Sequence, residues 1–266
     1  MDVVYVEIAK TTVGPFVGAL LAFISVRVHD SAKRYRENLA AGNLALFAIQ
    51  SQYNDFLLFR KNFYVEVNRN FSAIPNIPIW LLLRPAFITF AGLKINFESL
   101  GYLFERAGRF RVFENLNLAQ LRYQDMEKLT EFMNDNGREI QKIVESVHKK
   151  FPHDPAFLQR IDEAVGPQLK GVMHGVVVGV GLRATKDEES YTRAFSELAE
   201  ALRKEFSPNL FQKAVGFFLP KRWFPWGNVP ELPDLRLSEN FHKESLPKLP
   251  EPLMQEVEVA AQNRSR

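Results

Sequence analysis

The sequence predicts a mainly α-helical protein: an N-terminal transmembrane helix, then an elongated helical bundle of coiled-coil character, then a disordered proline-rich C-terminal tail. Three observations carry that reading. Residues 16 to 74 contain no proline, so nothing covalent interrupts a helix there. Apolar residues recur at alternating intervals of four and three, the helical period, in two long stretches. DEESYTRAFSELAEALRKEF, residues 187 to 206, begins acidic and ends basic, the order that the helix macrodipole favours.

The first element is an apolar run. TTVGPFVGALLAFISV, residues 11 to 26, carries no charge. Basic residues follow it, with Arg27, Lys33, Arg34 and Arg36 close behind. A signal peptide has the opposite order, positive charge first and a small-residue cleavage site last. The run of 16 residues is shorter than the roughly 20 that cross a bilayer. Val3 to Ile8 extends it to spanning length, with Lys10 snorkelling. The competing reading is a buried core helix. The charge step favours a membrane anchor over residues 1 to 28, with its N-terminus outside and the bulk of the chain cytoplasmic at the inner membrane. Gly14, Gly18 and Ala22 form a row of small residues on which a second helix could pack closely.

Residues 29 to 150 read as a long-helix, coiled-coil-like hairpin. Tyr35, Leu39, Gly42, Leu46, Ile49, Tyr53, Phe56, Arg60, Phe63 and Val67 make the first seam. Leu44, Phe47, Leu57, Leu58 and Phe59 widen the stripe towards one face of a bundle. The second seam is Met126, Leu129, Met133, Asn136, Ile140, Ile143 and Val147. Asn136 is placed to set register or partner number. Asp135-Asn136-Gly137 also has turn character, but the seam keeps its phase through it and predicts one continuous helix. Read as a calcium loop centred on Gly137, the same stretch puts Phe132 and Ile143 at ligand positions, which excludes calcium. The apolar connector, residues 74 to 108, is broken by Pro75, Pro78 and Pro85 and reads as a packed hairpin covering the ends of the helices. Trp80 and Arg84 give it an alternative role at lipid headgroups. RAGRFRVF, at its end, interleaves arginine with phenylalanine but is too short to mark a nucleic-acid site.

Residues 151 to 226 form a smaller helical region. Gly171, Gly175 and Gly179, at intervals of four, predict a smooth strip for tight internal or inter-subunit helix packing, or a membrane-inserting element. Val176 to Val178 leave helix and strand both open. The phosphate-loop order G-x-x-x-x-G-K-[ST] is missing, so nucleotide binding is not expected. Phe217, Phe218, Trp223, Phe224 and Trp226 surround Lys221 and Arg222, which suits a bilayer interface as well as a core clasp. Residues 227 to 266, rich in proline and charge, read as a disordered tail that could dock a protein partner.

The composition bounds the chemistry. There is no cysteine, which excludes disulfides, zinc-thiolate sites and cysteine nucleophiles. A net charge of +3 gives little reason to expect nucleic acid. His148, His153 and Asp154 surround Pro152 and read as a turn, not as metal ligands. No nucleophile, base and oxyanion donor occur together in a motif, so neither an enzyme nor a cofactor is expected. The sequence therefore predicts a single-pass membrane-anchored scaffold or adaptor that self-associates and binds partners. A membrane-perturbing effector, using the glycine row and the aromatic segment, is the alternative. An enzyme of unrecognised type comes third.

Overall fold

The computed structural model describes residues 2–74, 77–83, 85, 90, 92–105, 109–206 and 248–264, with side chains from Pro15 to Asn263. The elements are α1 (Asp2–Ala73), two 3-10 turns (Ile79–Leu81 and Glu98–Leu100), α2 (Gly101–Phe104), α3 (Phe110–Lys150), α4 (Phe157–Ala164), α5 (Pro167–Lys186), α6 (Glu188–Phe206) and α7 (Glu251–Arg264). The described residues contain no strand. The chain is mainly helical.

Helix α1 runs unbroken for 72 residues, roughly 110 Å at ~1.5 Å per residue. The seam explains its lower part. Leu39, Leu46, Ile49, Tyr53, Phe56, Phe63 and Val67 are all buried in one hydrophobic core. From α3 that core takes Met126, Met133, Ile140 and Val147, with Leu129 and Ile143 packed against it. The helix continues through Asp135-Asn136-Gly137. There Asn136 donates to the Phe132 carbonyl of the preceding turn at 2.7 Å. Gly137 is the buried member of that pair, and a Cβ on it would meet the Pro85 ring at 3.1 Å. Asn136 therefore does not serve as a seam residue.

The long-helix hairpin expected for residues 29 to 150 has a different topology. Helix α6 lies antiparallel to α1: Tyr35 meets Phe206, Gly42 meets Leu202 and Tyr53 meets Glu188. The same helix lies antiparallel to α3, where Arg109 pairs with Glu205, Asn115 with Glu197 and Arg122 with Asp187. Helices α1 and α3 therefore run parallel, with α6 against both. The connector makes this arrangement by travelling back along α1. Asn70 donates to the Leu82 carbonyl at 2.8 Å, Gln52 to the Leu93 carbonyl at 2.7 Å, and Tyr102 to the Asn38 carbonyl at 2.8 Å. Prolines keep this stretch from closing into a helix, and a non-helical chain covers more distance per residue. Gly92, at φ 68°, makes a turn that side chains disfavour and donates its amide to the Tyr123 hydroxyl at 3.1 Å.

Helices α5 and α6 are separated by Asp187 alone and form an almost continuous rod returning along α3. The stretch around Val176 to Val178 is helical, with Pro167 at its first turn, where a missing N–H costs nothing. The tail expected to be disordered contains α7. Leu249, Leu253 and Val257, spaced by four, are buried against α5, and Pro250 and Pro252 sit where a helix begins. That short amphipathic pattern outweighs the proline and charge content of the tail as a whole.

Among the described residues no helix is long and apolar enough to cross a membrane. The transmembrane helix expected at the N-terminus is thus without structural support, since the uncharged run closes at Arg27 after 16 residues. A buried N-terminal core helix is not found either: every side chain from Pro15 to Ser31 is exposed.

Candidate membrane-contact arm

The helix that organises the bundle extends past it. Tyr35 is the last α1 side chain packed on the core, its ring 5.1 Å from that of Phe206 and nearly perpendicular to it. Residues 2 to 34 continue as helix, an arm of roughly 50 Å. Phe16, Val17, Leu20, Leu21, Phe23, Ile24, Val26 and Val28 lie on it with 43% to 69% of their surface exposed. At 100° per residue they spread over more than half of the helix circumference, wider than the stripe of a bundle helix, and the small residues Gly18, Ala22 and Ser25 fill the rest. Burying a large apolar side chain is worth roughly 1.5–3 kcal/mol, so covering these eight would release on the order of 10 kcal/mol. Monomeric soluble proteins rarely leave such a continuous apolar surface uncovered.

The small-residue row lies on this arm. Gly14 is helical, but its surroundings lie outside the described side chains. Gly18 has open space where a Cβ would stand, and Ala22 is exposed. The basic residues follow directly. Arg27 lies over the Phe23 ring at 5.5 Å, Lys33 is 3.9 Å from Glu37, and Arg34 and Arg36 are exposed. Together they form a charged collar between the apolar arm and the bundle.

Other singled-out residues are used inside the chain. The seam residues Leu39, Leu46, Ile49, Tyr53 and Phe56 are covered by α6, α5 and the connector, which removes them as a contact for a second copy. Trp80 is buried in the 3-10 turn packed on α5, so it does not face a lipid interface. Trp223 and Trp226 lie outside the described residues, as does Arg84. In the glycine row, among the described residues, Gly171 and Gly175 would meet nothing with an added Cβ, and Gly179 would meet Leu129 at 3.7 Å. Gly175 and Gly179 line an open groove of about 480 Å³ between α3 and α5, walled by Leu129 and Phe132. Within the chain, tight packing falls instead to Gly42, whose added Cβ would lie 2.5 Å from Leu202, and to Gly181, 2.8 Å from Val257.

Sequence reading missed a polar joint at the α5–α6 break. Asp187, its side chain 8% exposed, receives Arg122 at 3.3 Å and Arg183 at 3.2 Å. Arg183 also reaches Asp125 at 2.7 Å. Glu188 pairs with Arg60 and accepts from the Tyr53 hydroxyl at 3.1 Å. Tyr123 donates to Asp55 at 2.7 Å. Burial and the neighbouring acids push the hydroxyls of Tyr53, Tyr123 and Tyr191 well above the ordinary tyrosine range, which keeps them neutral. Each carboxylate faces an arginine or a tyrosine, an arrangement suited to fastening helices together. No sequence motif marks it, because its members come from α1, α3, α5 and α6. Near the far end, Asp154 accepts from the Ala156 amide at 2.8 Å and pairs with Arg160, and His148 packs its ring on Phe157. These contacts account for the turn. Among the described residues no three His, Asp or Glu converge as metal ligands.

Comparison of the chain with protein-family models, with characterised proteins and with solved structures finds no match.

Proposed function

We propose that the protein is a membrane-tethered helical scaffold, held at the bilayer by the α1 arm and presenting its bundle on the cytoplasmic side. The observation that carries this reading is the bare apolar surface of residues 16 to 28, continuous with a bundle helix and closed by basic residues. Lipid covers a surface of this width together with the uncharged small residues beside it, which suits a bilayer better than a narrow protein groove. A crossing needs Val3 to Ile8 as well as the uncharged run, with Lys10 snorkelling to the outer headgroups. The basic collar then lies inside. Self-association, in this reading, belongs to the arm and its row Gly14, Gly18 and Ala22, because the bundle seam is already covered.

The effector reading fares worse. The helix that carries the glycine row also supplies Met173, Val177 and Val180 to the core, so its insertion into a bilayer would take the bundle apart.

Deletion of residues 1 to 28 tests the proposal. Full-length protein is expected in the membrane fraction after an alkaline carbonate wash, and the truncated protein in the soluble fraction. Full-length protein found soluble would contradict the tether, and truncated protein retained on membranes would place it elsewhere in the chain.

A further inference from the structure

We infer that the end of the bundle from which the arm emerges is a contact face for anionic phospholipid headgroups, formed jointly by α1, α3 and α6. This inference rests on the membrane reading and adds to it a lipid class and a set of residues. Three chain segments far apart in sequence meet at this end. The pairings Tyr35–Phe206, Tyr102–Asn38 and Arg109–Glu205 bring the start of α3 and the finish of α6 to the level of the α1 collar.

Charge favours an anionic surface there. Lys33 is matched by Glu37, Arg109 by Glu205 and Lys204 by Glu200. Arg34, Arg36 and Arg203 are exposed and, among the described residues, are not engaged by the acids that hold Lys33, Arg109 and Lys204. Arg111, with a side chain 73% exposed, reaches Glu197 at 3.4 Å. Arginine forks fit phosphate oxygens, and a basic cluster beside an anchor gathers anionic lipid.

Aromatic packing points the same way. Phe97, Phe104 and Phe110 all pack around Phe113, with ring centres 5.2–5.9 Å away. Phe110, at the outer edge of this cluster, is 65% exposed and directly follows Arg109. An exposed aromatic between arginines is the pairing that settles at headgroup depth.

The test uses full-length protein reconstituted into vesicles of phosphatidylcholine alone or with one-third phosphatidylglycerol. An apolar, environment-sensitive probe replaces the side chain at Phe110→Cys, and parallel samples carry it at Leu20→Cys and Lys149→Cys. Headgroup spin-labelled lipid is expected to quench the position 110 probe in the phosphatidylglycerol vesicles and to leave the position 149 probe bright. The combined change Arg34→Gln, Arg36→Gln and Arg203→Gln, or 0.5 M salt, is expected to reduce that quenching at least twofold. Equal quenching in both vesicle types overturns the lipid preference. An unquenched position 110 beside a position 20 quenched by acyl-chain spin label overturns the contact face and leaves the tether standing. An unquenched position 20 removes the tether and this inference together.

Discussion

A Cβ placed on Gly181 would stand 2.8 Å from Val257 Cγ2 and 3.4 Å from Phe63 Cζ. This glycine is what lets α7 lie against α5 while α1 closes from the other side. A β-branched valine cannot swing clear as a longer side chain could.

Gly181→Ala is therefore expected to cost about 1–3 kcal/mol, the usual penalty of overpacking, and to loosen α7 first. Gly175→Ala, on the same helix with open space around it, is expected to stabilise by up to ~1 kcal/mol through helix propensity. Urea midpoints of the two variants check the opposite signs, and amide exchange over residues 249 to 261 locates the loosening.

Asp187 is shared by Arg122 and Arg183 at the α5–α6 break. Asp187→Asn keeps the shape but leaves two half-buried guanidinium groups short of negative charge, and is expected to cost about 2–4 kcal/mol. Arg183 keeps Asp125 as a partner, so Arg122 bears more of the loss. Asp187→Asn in an Arg122→Met background checks this. The account expects the double variant to be less destabilised than the sum of the two single changes, since each single change leaves a partner uncompensated.

Two tyrosines in the same core are expected to respond differently to losing the hydroxyl. Tyr191 is buried, and among the described residues its hydroxyl has no hydrogen-bond partner. Tyr123 donates to Asp55 and accepts from the Gly92 amide. Tyr191→Phe removes an unsatisfied polar group and is expected to be neutral or stabilising by up to ~1 kcal/mol. Tyr123→Phe is expected to cost about 1–2 kcal/mol by the same reasoning, and to release the turn at Gly92. Thermal unfolding of both variants measures the contrast.

Much of the secondary structure was legible because helical periodicity is a local signal. Leu39 through Val67, and Met126 through Val147, carry it whatever their partners. The direction of α3 was not legible. It depends on Gln52, Asn70 and Asn38 holding the connector alongside α1, and single hydrogen bonds across 12 to 64 residues leave no periodic trace. The polar joint was hidden for the same reason, its members being scattered from Tyr53 to Tyr191. Helix α7 escaped notice because its apolar residues are few and the prolines around them resemble those of a linker. The glycine row is a different case. Spacing placed Gly171, Gly175 and Gly179 on one strip, but whether a strip is covered depends on neighbours that spacing does not encode. The arm was the most legible candidate site, since an uncharged run followed by arginines is read directly from the chain. What the fold adds is that these side chains lie outside the core.

The central claim is that this arm lies in a bilayer with its N-terminus on the far side from the bundle. The cysteine-free chain allows a direct measurement: single cysteines at Tyr5 and Lys149, each exposed to a membrane-impermeant thiol reagent in intact bacterial cells. The account predicts labelling at position 5 in intact cells, and at position 149 only after the cells are opened. Labelling at position 149 in intact cells would reverse the topology. Protection of both positions until lysis, with the protein in the soluble fraction, would contradict the tether itself.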